Sequence, residues 1–187
     1  MTEKRYYMAC LDLEDRDVLV VGGGPVALEK VEGLEACGAR VTVVAPEIAV
    51  ELERLDFTLL RREYRTSDLD GRFLVVAATS TPSVNRKVFA DAEARSLLCN
   101  VVDVPELCSF ILPAVHRVDP IAVAISTGGA SPALAQRLRD DIATVVRPEH
   151  ANLARRLREL RPWAKQHFST YEERRDYFQR LVEAELQ

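Results

Sequence analysis

Residues 18–30 read VLVVGGGPVALEK. Four apolar residues run into three glycines, and a helical pattern follows. The stretch is either a phosphate cradle or only a tight turn between a strand and a helix. Gly22, Gly23, Gly24, Pro25, Val26 and Ala27 fit the pattern G-x-G-x-x-A. In that pattern Gly22 allows the turn out of the strand. Gly24 lets a pyrophosphate approach the backbone, and Ala27 keeps the helix close to the sheet. The helix N-terminus adds unpaired N–H groups and a partial positive charge. Pro25 has no N–H, so one donor is lost there. The context decides for the cradle: a strand precedes the glycines, a helix follows, and a second strand, RVTVVAP, comes at the distance of a βαβ unit.

The second strand lacks the acid that ordinarily holds the adenine ribose. It ends in Ala45-Pro46, and the first acid is Glu47. No arginine follows to take a 2′-phosphate, so NAD is expected rather than NADP, with the ribose at the backbone around Pro46 and Glu47.

The pattern extends outward from this unit. DVLVVGG, RVTVVAP, FTLLRREY, FLVVAAT and LLCNVVD read as strands. PVALEKVEGLEACG, VELERLD and PSVNRKVFADAEARS read as helices, the first stopped by Gly38, and TSDLDG as a loop. Apolar, unalternated strands between helices predict an α/β, Rossmann-like, doubly wound parallel sheet. After about residue 112 the character changes. SFILPAVHRVDPIAVAISTGG predicts two strands about a proline turn, and SPALAQRLRDDIATVV a helix with Ser131 at its N-cap and Pro132 at N1. From Glu149 onward the chain reads as helical and rich in arginine. The expected division is a dinucleotide-binding domain over 1–112, a small α+β segment over 113–147 and a helical region over 148–187.

Composition excludes several classes. The 187 residues carry a net charge of −4, which calls for neither nucleic acid nor an anionic membrane. No apolar signal core opens the chain, and no window approaches a membrane span. Cys10, Cys37, Cys99 and Cys108 are scattered, with no C-x-x-C, which is the pattern of reduced cytosolic thiols. A soluble cytoplasmic protein is expected.

Substrate belongs at the C-terminal ends of the strands, where Thr79, Ser80, Thr81, Asn100 and Asp103 fall. No tyrosine has a lysine four residues on, no His–Asp relay is visible, and no metal-ligand cluster stands out. Asp103, just past a buried strand, is therefore the notable acid. It can accept a proton as a hydride leaves a substrate, or it can simply shape the turn before Pro105. Thr79, ending FLVVAAT, is grouped with the cofactor-side residues.

VVGGGPVALEK, LVVAAT…VN, CNVVDVPELCSFILPA and VAISTGGASPALAQRLRDDI occur in this order. Together they resemble the precorrin-2 dehydrogenase family, the N-terminal module of siroheme synthases, here expected in its stand-alone form. The resemblance covers essentially the whole chain. It implies NAD-dependent oxidation of precorrin-2 to sirohydrochlorin, with ferrous iron insertion to siroheme in some members. It assigns proton acceptance to Asp103, cofactor contacts to Gly22–Val26, Pro46 and Glu47, and a substrate side that includes Asn100, Ser109 and Thr127. Thr127 stands where some relatives carry a phosphorylatable serine. No resident metal is implied, ferrous or cobaltous ion being substrate. His116 invites a chelating role through its imidazole, at a position that resembles a variable turn of the family.

The resemblance also implies a homodimer built on the segment Pro113–Val145. Precorrin-2 bears carboxylate side arms, and arginine forks suit carboxylates. Arg155, Arg156, Arg158, Arg161, Arg174, Arg175 and Arg180 are candidates, against the plainer reading of helical faces laced with Glu–Arg pairs. An NAD-sensing regulatory dimer without tetrapyrrole chemistry is the alternative.

Overall fold

The computed structural model describes residues 6–55 and 57–186. The chain divides into two units, Met1–Ile111 and Leu112–Gln187. In the first, strands β1 (Asp17–Val21), β2 (Arg40–Ala45), β3 (Thr58–Arg61), β4 (Leu74–Ala77) and β5 (Leu98–Val101) form one sheet in the order β3-β2-β1-β4-β5. Every pairing is parallel. The doubly wound sheet expected from the strand composition is formed.

Both faces of the sheet are covered, which explains why its strands do not alternate apolar with polar. Val18 and Val20 of β1 pack with Ala27 and Val31 of helix α1 (Pro25–Glu35). Leu19 and Val21, pointing the other way, pack with Val88 and Ala92 of helix α3 (Pro82–Glu93). Ala27 is wholly buried, so the small residue that ends the glycine pattern does set the helix against the sheet. The order of the strands reverses at β1: the chain runs outward to β2 on one side and returns to β4 on the other. Their C-terminal ends flank the crevice where α/β sheets of this kind bind ligands.

Some boundaries differ from the sequence pattern. Helix α1 ends at Glu35, short of Cys37, whose N–H bonds the Leu34 carbonyl in a tighter turn before Gly38 at φ +79°. Helix α2 spans Val50–Glu53, and Asp56, the end of the expected VELERLD helix, lies outside the described residues. Strand β3 stops at Arg61, and the expected loop TSDLDG instead holds a 3-10 turn at Thr66–Leu69.

One carboxylate accounts for both changes. Asp68, buried, accepts from Arg62 Nη1 at 2.8 Å, Arg62 Nη2 at 2.6 Å and the Arg65 N–H at 2.8 Å. Arg62 is pulled off the sheet, and the first turn is capped. Beside it Asp91 on α3 accepts from the Tyr64 hydroxyl, Thr66 Oγ1 and Lys87 Nζ. The Arg62 bonds hold the Asp68 carboxyl below the ordinary aspartate range, against the opposing effect of its burial. A depressed folded value means that Asp68 stabilises fully above the ordinary aspartate pKa of about 3.9, and that this contribution is lost as pH falls through the folded value. Asp68→Asn is expected to cost about 2 kcal/mol in urea unfolding at pH 7. The difference from wild type should shrink as pH falls below about 4. An unchanged difference at low pH would refute the assignment.

The second unit holds a hairpin, β6 (Ala114–Val118) and β7 (Ile121–Ile125), and helices α4 (Pro132–Val145), α5 (Pro148–His167) and α6 (Tyr171–Glu185). Ser131 caps α4, its Oγ accepting from the Leu134 N–H at 3.2 Å. Trp163, Phe168, Tyr177 and Phe178 pack as an aromatic cluster that joins α5 to α6. Among the described residues of this unit only Ala135, Ala151, Leu153 and Ala164 are buried apolar residues, whereas Leu134, Leu138 and Val145 of α4 are exposed. No helix among the described residues is long and apolar enough to cross a membrane.

Candidate functional site

Because the five strands are parallel, every segment that follows a strand leaves the sheet at the same edge. Gly22–Val26 follow β1, Pro46 and Glu47 follow β2, Thr79 follows β4, and Asp103 follows β5. The sequence-predicted residues of the first unit therefore gather at one edge.

The three glycines have three separate reasons. Gly22 sits at φ +130°, and a Cβ on it would run into the Ala78 carbonyl. Gly23 lies against Glu47 and Ile48, where a Cβ would strike the Glu47 carbonyl. Its own carbonyl accepts from the Ala49 N–H at 2.8 Å, which ties the segment after β2 to the glycine loop. Gly24 differs from both. Its φ of −92° and ψ of −173° suit any residue, and a Cβ there would meet nothing within 4 Å. Neither backbone strain nor packing within the protein requires glycine at this position. The open space beside it lies at the start of α1, whose first N–H groups have no helical acceptor. The Leu28 N–H makes the first helical bond, to the Gly24 carbonyl at 3.1 Å. The residues present thus fit a dinucleotide pyrophosphate: open space beside Gly24, at a helix N-terminus whose first N–H groups have no helical acceptor.

Thr79 is half-buried, and its hydroxyl is engaged. Oγ1 lies 2.7 Å from Asn85 Oδ1 and accepts from the Thr81 N–H at 3.1 Å, while Asn85 Nδ2 donates to the Thr79 carbonyl at 2.9 Å. Asn85, a buried amide in the first turn of α3, shapes the exit of β4. Sequence reasoning left it off the site. Its signal was an asparagine early in a helix that follows a strand end.

The loop after β5 is built around Asp103. The chain leaves β5, makes a 3-10 turn at Pro105–Leu107 and returns beside the strand. Ser109 closes it: its N–H donates to the Cys99 carbonyl at 2.8 Å, and its Oγ accepts from the Cys99 N–H at 2.7 Å. Asn100 Nδ2 donates to the Phe110 carbonyl at 3.0 Å. The buried Cys108 thiol accepts from the Val101 N–H at 3.3 Å. Burial pushes the Cys99 thiol up to about 12, so it stays protonated at neutral pH. Asn100 Nδ2 and the Ser109 hydroxyl, expected on the substrate side, are thus engaged within the loop's own frame.

Asp103 sits at the tip of this loop, exposed, at φ +61°. Its carboxylate makes no hydrogen bond or ion pair with any described residue. A rigid frame therefore presents an uncommitted acid at the edge of the sheet that also carries the glycine cradle.

The remaining candidates belong to the second unit. Thr127 Oγ1 accepts from the Ser131 N–H at 3.1 Å and lies 3.1 Å from the Ser131 carbonyl, which shapes the turn into α4. His116 Nε2 lies 2.7 Å from the Val146 carbonyl and ties the hairpin to the end of α4. Its imidazole is engaged in holding the fold, which weighs against the chelating role. Among the described residues no group of three or more His, Cys, Asp or Glu side chains could hold a metal ion.

A family model described as putative NAD(P)-binding matches residues 9–114, and one described as sirohaem biosynthesis protein central matches residues 118–144. The siroheme synthase of Methylobacillus flagellatus is 43% identical over 180 residues, covering 92% of this chain and 38% of the relative. That of Salmonella typhi is 40% identical over 174 residues, covering 90% of this chain and 38% of the relative. The chain thus spans less than two-fifths of the length of these curated relatives. The solved structure of SirC, a precorrin-2 dehydrogenase, superposes with a TM-score of 0.82 at 26% identity, over 97% of this chain and 93% of that one.

Proposed function

Because this chain belongs to the precorrin-2 dehydrogenase family, the N-terminal module of siroheme synthases, we propose that it oxidises precorrin-2 to sirohydrochlorin with NAD, in the route to siroheme. One observation carries the reading beyond family membership: an uncommitted carboxylate, Asp103, shares a sheet edge with a glycine that has open space beside it at a helix N-terminus.

When bound, NAD supplies the hydride acceptor. Gly24 and the first turn of α1 would hold its pyrophosphate, and Pro46 and Glu47, whose position the Ala49–Gly23 bond maintains, would hold its adenosine side. Thr79 lines the exit of β4. Asp103 accepts the proton that leaves the substrate as it is oxidised. Asn100 and Ser109 act as positioning residues, because they hold the loop that presents Asp103.

The proposal includes a homodimer. The second unit buries few apolar side chains and leaves Leu134, Leu138 and Val145 exposed along α4, a surface that a second copy would cover. Light scattering of the purified chain should return twice the monomer mass, and a monomer at micromolar concentration would refute this part. The uncommitted acid at Asp103 also suits uptake of pyrrole protons during metal insertion, with ferrous or cobaltous ion as substrate.

The experiment is an anaerobic assay with precorrin-2 and NAD, followed at the NADH absorbance band. NADH formation supports the dehydrogenase. A further change in the tetrapyrrole spectrum, faster with enzyme than without when metal is added, supports insertion. A folded, NAD-binding protein that forms no NADH would overturn the proposal in favour of a sensor.

A further inference from the structure

The arginine-rich helices sort into two groups. Arg156 pairs with Glu185 at 2.9 Å, Arg175 with Asp176 at 2.7 Å, and Arg155 bonds Asn152 and the Asp119 carbonyl. These are the plain helical-face pairs. Arg158, Arg161 and Lys165 are different: like Arg180, which lines neither hollow, none has a hydrogen bond or an ion pair with any described residue. Their spacing, i, i+3 and i+7, puts them on one face of α5. Arg174 of α6 joins them, held by a 2.8 Å bond from Nη1 to the Phe168 carbonyl with the rest of its fork free of ion pairs.

These cations line two adjoining hollows. One, of about 320 Å³, lies between Pro120 of the hairpin turn and Ala154, Leu157, Arg158 and Arg161. The other, of about 500 Å³, lies between Arg161, Lys165 and Pro162 of α5 and Tyr171, Arg174 and Phe178 of α6. Arg161 is common to both. Among the described residues, no carboxylate lines either hollow. The second hollow has aromatic and proline walls and falls within the ~300–1,000 Å³ range of small-molecule sites. A cationic rim over apolar walls selects a flat or apolar body that carries several carboxylates, with arginine forks matching each arm.

We infer that the groove formed by Arg161, Lys165 and Arg174 with Tyr171 and Phe178 is a docking site for the carboxylate arms of the tetrapyrrole. The inference rests on the substrate class proposed above. The groove gathers cations locally on a chain whose net charge is −4. It contributes to affinity rather than to bond making, since no group in it is an acid or a base suited to the oxidation.

The test uses the full chain and uroporphyrin, a stable porphyrin with the same kinds of carboxylate arm, titrated by fluorescence. The variants are R161Q, K165Q, their double, and R175Q as a cation outside the groove. Each groove substitution should weaken binding about five-fold and the double about 25-fold, with R175Q within two-fold of wild type. NAD binding and circular dichroism should be unchanged throughout. With precorrin-2, the double should raise KM and leave kcat unchanged. Unchanged uroporphyrin affinity and unchanged KM in the double would overturn the groove while leaving the dehydrogenase standing. Polyglutamate displacing the porphyrin as well as free uroporphyrin does would also overturn it, by making the groove a general acid-binding surface. Should wild type form no NADH although the double loses porphyrin binding, the enzyme reading fails and the groove stands.

Discussion

Asp103→Asn should lower kcat for precorrin-2 oxidation by about 10²- to 10⁴-fold, the usual contribution of a positioned acid–base group, and leave NAD affinity and thermal stability unchanged. The choice of asparagine follows from the backbone. Asp103 lies at φ +61°, a left-handed conformation that asparagine and aspartate tolerate and that other side chains reach only at a cost of about 1–2 kcal/mol. Asparagine therefore removes the charge and the proton acceptor and keeps the turn. Asp103→Ala would mix lost chemistry with a strained loop. No described residue bonds the carboxylate, so its removal leaves no buried partner stranded. The measurement is the single-turnover rate of NADH formation beside an NAD titration. Loss of less than three-fold would return Asp103 to the role of a turn residue. A similar loss of NAD affinity would make its effect one of binding.

The glycine loop supports the second large effect, a contrast between neighbours. Gly22→Ala should destabilise the protein by about 3 kcal/mol or more, because it puts a Cβ both on a left-handed backbone and into the Ala78 carbonyl. Gly24→Ala should cost under about 1 kcal/mol, the ordinary price of losing glycine at a helix N-cap. Yet it should weaken NAD binding about ten-fold or more, because the methyl group occupies the space left for the pyrophosphate. Urea unfolding and isothermal titration with NAD separate the two. If Gly24→Ala binds NAD as wild type does, the open space is not the cofactor's and the cradle reading fails. If Gly22→Ala proves as stable as wild type, the loop can shift and the geometric account is wrong.

Most of the first unit was legible in the sequence because its cause is local. Valine-rich runs bounded by glycine and proline form strands. Helical spacing from Val26 to Leu34 forms α1. Strands with no alternation must be covered on both faces, which dictates the parallel sheet. The edge at which Gly22, Pro46, Thr79 and Asp103 gather follows at once, since parallel strands share a direction. The errors arose where a hydrogen-bonding side chain a few residues further on, rather than the apolar pattern, set the backbone. Arg62 left the sheet for Asp68 and shortened β3, and a carboxylate rather than loop composition made the 3-10 turn at Thr66.

The sequence by itself determined the fold of the first unit and the glycine-rich turn, because each depends on residue type and spacing along one segment, and it singled out Asp103 as the candidate acid. Only the tertiary structure decided what the polar neighbours do. Asn100 and Ser109 bond Phe110 and Cys99, and His116 meets Val146, by closures that spacing cannot forecast. It also decided which of the three glycines has open space beside it, and which cations lack a partner among the described residues. Both depend on what occupies the space around a group, and that space is bounded by residues from elsewhere in the chain.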